Sequence, residues 1–229
     1  MHCCKEWAGT CNVREKAIIR THQSHAAYDK RQPMFSQNDE EAVIMRFFGN
    51  ITGRFLDIGA YDGKTFSNTF RLVDSGWSGI CIEPSPSVFP RLQELHGSNP
   101  RITLVQRALS DHIGKQLFYD SNGDAISTFD EGHKRRWEEG AHSKFSEVEV
   151  ETTTVDEMFA AYGYDFDFIN IDVESYNWEL FNKFDFNKMP KLQLICIEHD
   201  GCIQAMMHIL RPFGFNEIYR NVENLIAGR

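Results

Sequence analysis

The sequence predicts a Rossmann-like α/β domain, a doubly wound, mostly parallel sheet with helices on both faces, and three observations predict it. Short apolar runs of strand length recur along the chain from Arg54 onward. They are near-continuously hydrophobic, as strands are when helices cover both faces of a parallel sheet. Segments of helical period fit between several of them, which is the alternation of a doubly wound fold. At 229 residues, 41% of them hydrophobic, the chain can bury one such core.

The elements follow in order. Residues 1–34 read as an N-terminal arm, because the first 32 are polar, rich in His and Arg and without a clear period. The domain is expected over residues 35–229. Between Asn38 and Phe48 the residues Val43, Ile44, Phe47 and Phe48 recur at i, i+1, i+4 and i+5, with Asn38 and Glu41 as a capping pair, which predicts an amphipathic helix. Strands are predicted over Phe55 to Ile58, Ile80 to Ile82, Ile102 to Val105, Phe166 to Ile171 and Leu192 to Ile197. Helices are predicted over Thr65 to Ser75 and Ser87 to His96. The interval from Asp120 to Val150 breaks the rhythm with Gly, Ser, Asp, His and a mixed charge run from His133 to Glu139. It reads as a long loop excursion, a lid or binding element in one reading and plain solvated surface in the other.

Composition narrows the partners. A net charge of -9, from 33 acidic residues against 24 Lys and Arg, argues against nucleic acid or an anionic membrane as the main partner. No apolar run approaches the roughly 18 to 20 residues that cross a bilayer, and no basic segment with a hydrophobic signal stretch opens the chain, so a cytoplasmic location is expected. Of six cysteines, Cys81 and Cys196 sit in apolar runs where a thiol packs as a small hydrophobe, and no disulfide framework is expected. Cys3, Cys4 and Cys11 with His22 and His25 offer zinc ligand types, but adjacent Cys3 and Cys4 miss the usual C-x2-4-C spacing.

The run Phe55-Leu56-Asp57-Ile58-Gly59-Ala60-Tyr61-Asp62-Gly63 places a buried strand before a turn with two glycines, and a helical stretch follows. Glycine serves where backbone turns tightly or approaches a ligand, and amides at a helix N-terminus can hold a carboxylate. Twenty residues after Gly63 the second strand ends in Glu83 and Pro84, where an acid can accept two hydrogen bonds from a ribose diol. An ordinary βα turn explains a lone glycine loop, but turn plus spaced acid is more specific. The loop is Gly59-x3-Gly63 rather than G-x-G-x-x-G, and there is no Walker A run, which disfavours NAD. A ligand with ribose and adenine but no phosphates remains, and S-adenosylmethionine fits it.

Several further pieces recur in a shared order: Phe35-Ser36-Gln37 with Glu40-Glu41, the Asp57-to-Gly63 loop, Ser67-Asn68-Thr69, Gly76-Trp77-Ser78-Gly79, Glu83-Pro84, Ala108-Leu109-Ser110-Asp111, Thr154-Val155-Asp156 and Ile171-Asp172-Val173-Glu174. Over Phe35 to about Asp200 the chain thereby resembles the FkbM family of methyltransferases. The resemblance implies a class I methyltransferase fold that binds S-adenosylmethionine. It implies that Asp57, Gly59 and Gly63 surround the methionine part, that Ala60, Tyr61 and Asp62 of the same loop and Asp172 also bind the cofactor, and that Glu83, followed by Pro84, holds the ribose. It places Ala108, Leu109 and Ser110 beside adenine, with Gln37 and Asn68 near the cofactor. It also implies transfer to the oxygen of a sugar, glycan or natural-product-like hydroxyl, which no single residue dictates. One departure stands out: Ser175 follows Asp172-Val173-Glu174 where the family usually has glycine.

Asp172 and Glu174 fall at the carboxyl end of the fourth predicted strand, the edge where open α/β sheets bind ligands. A carboxylate there can orient the cofactor, deprotonate an acceptor or bind Mg²⁺, although capping the next helix is a plainer role for Glu174. Glu198-His199-Asp200 closes the fifth strand. Mg²⁺ would want oxygens such as those of Asp172, Glu198 and Asp200. His199 is a candidate general base, set against the commoner solvated loop histidine. A catalytically silent cofactor-binding module and an NAD-dependent enzyme are the alternatives, and oligomeric state is left open.

Overall fold

The computed structural model describes residues 34–229. The main-sheet strands are β1 (Arg54–Ile58), β2 (Ser78–Ile82), β3 (Ile102–Val105), β7 (Phe168–Ile171), β8 (Leu194–Glu198), β9 (Asn216–Arg220) and β10 (Asn224–Gly228), and β4 (Ala108–Ser110), β5 (Gly114–Asp120) and β6 (Ser146–Thr154) form a second sheet. The helices are α1 (Glu40–Phe48), α2 (Phe70–Asp74), α3 (Phe89–His96), α4 (Glu131–Ala141), α5 (Val155–Tyr162), α6 (Asn177–Phe181) and α7 (Ile203–Leu210). The seven-stranded sheet runs β3-β2-β1-β7-β8-β10-β9. Its first five strands are parallel, and β10 lies antiparallel to both neighbours. This is the doubly wound, mostly parallel α/β fold that the sequence predicts. The chain leaves β1 toward β2 and β3 and returns on the other side as β7, so the switch point falls between β1 and β7, where such sheets open a ligand crevice.

Strand period explains both cores. Leu56 and Ile58, Ile169 and Ile171, and Ile195 and Ile197 face one side, where Phe159 of α5, Leu180 of α6 and Met206 of α7 cover them. The alternate residues Phe55, Phe168, Leu194 and Cys196 face the other, under Ile44 and Phe48 of α1, Leu72 of α2 and Leu92 of α3. Apart from Arg54, Ser78 and Glu198 at strand ends, every position in β1, β2, β7 and β8 is therefore buried, which produces continuous rather than alternating apolar runs.

Three local expectations change. The α1 cap is not Asn38 with Glu41: Ser36 Oγ accepts the Glu41 N–H (3.2 Å), Glu41 Oε2 accepts the Phe35 N–H (2.8 Å), and the Asn38 N–H goes to Glu40. The helix predicted from Thr65 begins only at Phe70, because the loop before it is committed elsewhere, with Phe66 at φ 57°. The interval from Asp120 to Val150 is no long loop. It holds the end of β5, all of α4 and most of β6, and β6 pairs parallel with β4 and antiparallel with β5. The alternation Glu147-Val148-Glu149-Val150-Glu151 is the period-two signal of this half-exposed strand.

Cys81 and Cys196 are free and buried as expected, and Cys202, which the sequence reading did not single out, is disulfide-bonded. The arm and the zinc candidates Cys3, Cys4, Cys11, His22 and His25 lie outside the described residues. Among those described, no helix is long and apolar enough to cross a membrane.

Candidate active site

The site rests on a buried polar ladder. Asp57, Asn170 and Cys196 sit on adjacent rungs of β1, β7 and β8, so their side chains share a face. Asp57 accepts hydrogen bonds from Thr69 Oγ1 (2.6 Å) and Asn170 Nδ2 (2.9 Å), and Asn170 Oδ1 accepts from Asn68 Nδ2 (3.0 Å). Burial pushes the Asp57 carboxyl up, and the bonds from Thr69 and Asn170 pull it back. The ladder ties the loop after β1 onto the sheet, since a buried polar group left unpaired costs about 1–3 kcal/mol.

Glycine in that loop is a steric requirement. Gly59 has φ 84°, and a Cβ there would lie 1.7 Å from the Asp172 carbonyl oxygen. The loop therefore approaches the exit of β7 more closely than any side chain permits. Asp62 Oδ1 accepts the N–H groups of Lys64 and Thr65, closing the turn, and Gly63 presses against Leu92 and His96 of α3.

Glu83 ends β2 with Oε2 accepting the Tyr61 N–H (3.0 Å) and Oε1 the Ser85 N–H (2.8 Å). Burial raises its pKa to about 7 against these bonds, with the nearby charges of Asp120 and Asp57 adding to the rise. Each oxygen keeps a lone pair for a further donor. Beside it, Ile82, Pro84, Val88, Ala108, Leu109 and Phe118 line an apolar slot in an open cleft. Asp120 clamps this wall by accepting from Ser85 Oγ (2.9 Å) and Ser87 Oγ (2.5 Å). Tyr61 donates its hydroxyl to the Gly123 carbonyl (2.8 Å), which brings Asp124 to Ser127 over the slot.

The far end of the cleft is acidic. Asp172, Val173, Glu174 and Tyr176 line it with Gln37, Phe66 and Phe129. Burial, then the charges of Asp57, Asp200 and Glu223, push Asp172 up to about 7. Burial followed by Asp172 and Asp200 pushes Glu198 to about 9, and burial followed by Asp172, Glu198, Asp200 and Glu223 pushes Glu174 to about 10. Asn177 stitches the rim together, donating to Glu198 (2.5 Å) and Asp200 (3.0 Å) while accepting the Val173 N–H (2.8 Å).

The cleft gathers Gln37, Asp57, Gly59, Ala60, Tyr61, Asn68, Glu83, Pro84, Ala108, Leu109, Asp172 and Glu174. Asp62 and Gly63 shape the loop without lining it, and Ser110 turns its hydroxyl to Gln116 (2.8 Å). His199 also stands apart: its Nδ1 accepts the Gly201 N–H (2.9 Å) and its Nε2 faces the Asn221 carbonyl (3.3 Å), so both nitrogens brace the turn after β8. The magnesium set is not assembled. Among the described residues no group of three His, Cys, Asp or Glu side chains is placed to hold a metal, and the Asn177 amide bridges Glu198 and Asp200. Lining residues that the sequence did not single out are Phe118, Tyr176 and, within the Asp120-to-Val150 interval read as a lid or binding element, Asp124, Ala125, Ser127 and Phe129. The β5 and β6 alternation could have flagged Phe118, but nothing local marks the others.

The sequence pattern described as the methyltransferase FkbM domain matches residues 57–216. No curated protein is significantly similar in sequence. Among solved structures, the Methanococcus jannaschii fibrillarin pre-rRNA processing protein aligns with 14% identity over 77% of this chain and 66% of its own, at a TM-score of 0.41. A monomeric WbdD aligns with 11% identity over 84% of this chain at a TM-score of 0.46, and this chain spans only 41% of it. Precorrin-6y C5,15-methyltransferase from Geobacter metallireducens aligns with 11% identity over 90% of this chain and 92% of its own, at a TM-score of 0.44.

Proposed function

This chain belongs to the FkbM methyltransferase family, and from that premise we propose that it transfers a methyl group from S-adenosylmethionine to a hydroxyl oxygen of a neutral sugar, glycan or natural-product-like acceptor. The observation that carries the reading is Glu83, a buried carboxylate with spare lone pairs, flanked by a glycine loop and an apolar slot. The slot suits an adenine ring, Glu83 a ribose diol, and the Gly59 loop a methionine tail. Among the described residues Arg107 is the one Lys or Arg that lines the cleft, where a pyrophosphate would want several, which weighs against NAD.

When bound, S-adenosylmethionine supplies an already activated methyl group on a sulfonium. The residues of the chain then have positioning as their main task, and aligned reactants can recover several kcal/mol of the barrier. Asp172 and Glu174 face the space left for the acceptor, where carboxyl groups can orient hydroxyls. The acidity of that end disfavours an acceptor bearing phosphate or carboxylate beside its reacting oxygen.

Calorimetric titration with S-adenosylhomocysteine tests the reading, with Glu83→Ala as the variant and NAD as control ligand. Micromolar binding that weakens in the variant supports it. Binding of NAD in preference overturns it, and cofactor binding with no methylated product from any hydroxyl acceptor favours the catalytically silent module.

A further inference from the structure

Ser175 holds a left-handed backbone conformation, φ 72°, directly after Glu174 at φ 49°. Two successive non-glycine residues in that region cost roughly 1 kcal/mol or more each, and such strain persists where surroundings enforce it. The enforcing contact is visible. His133 of α4, only 6% exposed, places Nδ1 3.0 Å from Ser175 Oγ. Its other nitrogen, Nε2, is buried without a hydrogen-bond partner and lies 3.4 Å from Glu174 Oε2. Thr128 Oγ1 donates to the Glu174 carbonyl (2.8 Å), which joins the segment entering α4 to the strand exit once more, and Asp130 caps α4 on the His133 N–H.

We propose that Glu174 and His133 form a proton-relay pair serving the acceptor, with Ser175 as the residue that aims the imidazole. The proposal rests on the methyltransferase reading above. With the Nδ1 proton donated to Ser175 Oγ, Nε2 carries a lone pair 3.4 Å from Glu174 Oε2. The acceptor O–H bond breaks and its proton passes to Glu174, while the proton already on Glu174 moves to Nε2. The acceptor oxygen's electron pair forms the new O–CH₃ bond as the S–CH₃ bond breaks, releasing S-adenosylhomocysteine. The sulfonium charge is thereby replaced by an imidazolium charge, and atoms and charge balance.

The electrostatics agree with that direction. Burial, the first cause, and Arg136 lower the His133 pKa, against Asp130, so the ring starts neutral. Glu174, raised to about 10, starts protonated. Asp130 is the acidic group beside His133 that favours its charged form, against Arg136 and burial. Glu174 alone would touch the acceptor, and His133 and Ser175 would act through it.

The test uses the full chain saturated with S-adenosylhomocysteine and labelled with ¹⁵N-histidine. In the wild type, ring signals of His133 are expected to show a protonated Nδ1 and a hydrogen-bonded, unprotonated Nε2. Glu174→Gln is expected to shift Nε2, and Ser175→Gly to average the two tautomers. Identical ring signals in all three proteins would overturn the pair. For catalysis, neutral methyl hexosides serve as acceptors and S-adenosylhomocysteine release is read. His133→Gln is expected to lower kcat about 100-fold, the low end of general-base contributions, with KM for S-adenosylmethionine unchanged. Ser175→Gly relieves backbone strain, so it is expected to lower kcat while keeping or raising Tm. Unchanged kcat in His133→Gln, or a change in KM alone, would refute the relay while leaving the methyltransferase reading intact. A wild type that fails to bind S-adenosylhomocysteine would sink that reading instead, whatever the ring signals show.

Discussion

Glu83→Gln probes the cofactor pocket through pH. In the folded protein the carboxyl titrates near 7 instead of 4.5, because burial outweighs the two backbone bonds it accepts. At about 1.36 kcal/mol per pH unit, ionising it there costs about 3 kcal/mol more than in water. Ribose hydroxyls are donors and favour the ionised form. At pH 6 about nine-tenths of the protein is therefore in the wrong state, and at pH 8 about one-tenth, so wild-type affinity for S-adenosylhomocysteine should rise about tenfold between them. Glutamine keeps the shape but offers one acceptor oxygen and no charge. Losing one or more charge-assisted bonds, each worth about 1.5–3 kcal/mol, predicts binding weaker by about 100-fold at pH 8 and no dependence on pH. The folding sign is opposite. A folded-state pKa raised from 4.5 gives stability fully present below pH 4.5 and lost as pH rises through 7. The variant avoids that loss of about 3 kcal/mol and gives up one buried backbone bond worth about 1–3 kcal/mol, so its Tm at pH 8 should stay close to the wild type's, and unfolding cannot mimic weak binding. Calorimetry at pH 6, 7 and 8 decides. Wild-type binding that is flat across this range, or a variant within threefold of wild type at pH 8, would refute the role given to Glu83.

Gly59→Ala puts a methyl 1.7 Å from the Asp172 carbonyl at φ 84°, and a loss of about 4 kcal/mol or more is expected, read as a collapse of the denaturant midpoint. Asn170→Ala strips Asp57 and Asn68 of a buried partner each, which should cost about 2–4 kcal/mol in urea unfolding and weaken cofactor binding, whereas an effect below 1 kcal/mol would contradict the ladder. Because Asp172, Glu198 and Glu174 titrate near 7, 9 and 10 when folded, the stability they contribute is present below about pH 4 and lost as pH rises through those values. Thermal melts of the ligand-free protein should therefore fall from pH 6 to pH 9, and a rising Tm would argue against a protonated cluster. Tyr61→Phe removes the bond to the Gly123 carbonyl, about 1 kcal/mol, and amide exchange across residues 121–127 should speed up several-fold with Tm little changed.

The sheet and the cofactor loop were legible because their determinants are local. Each central strand is apolar on both sides, so β1, β2, β3, β7 and β8 announced themselves as runs, and the runs overshot only where Phe166 and Leu192 are fully buried ahead of the ladder. Gly59, Gly63 and Glu83 lie in short stretches whose strand, turn and acid follow one another along the chain. The sequence by itself therefore determined the fold class and the glycine loop with its spaced acid. What the tertiary structure alone decided is where distant polar groups meet. His199 looked free on its strand end, yet its two nitrogens are taken by Gly201 and Asn221. His133 sat in a charged run that reads as solvated surface, yet the folding of α4 over the β7 exit buries it 42 residues away from Ser175. Period and propensity report which face of an element is buried. They carry no information on which side chains cross the cleft to share a proton, because that depends on packing between elements that are remote in the chain.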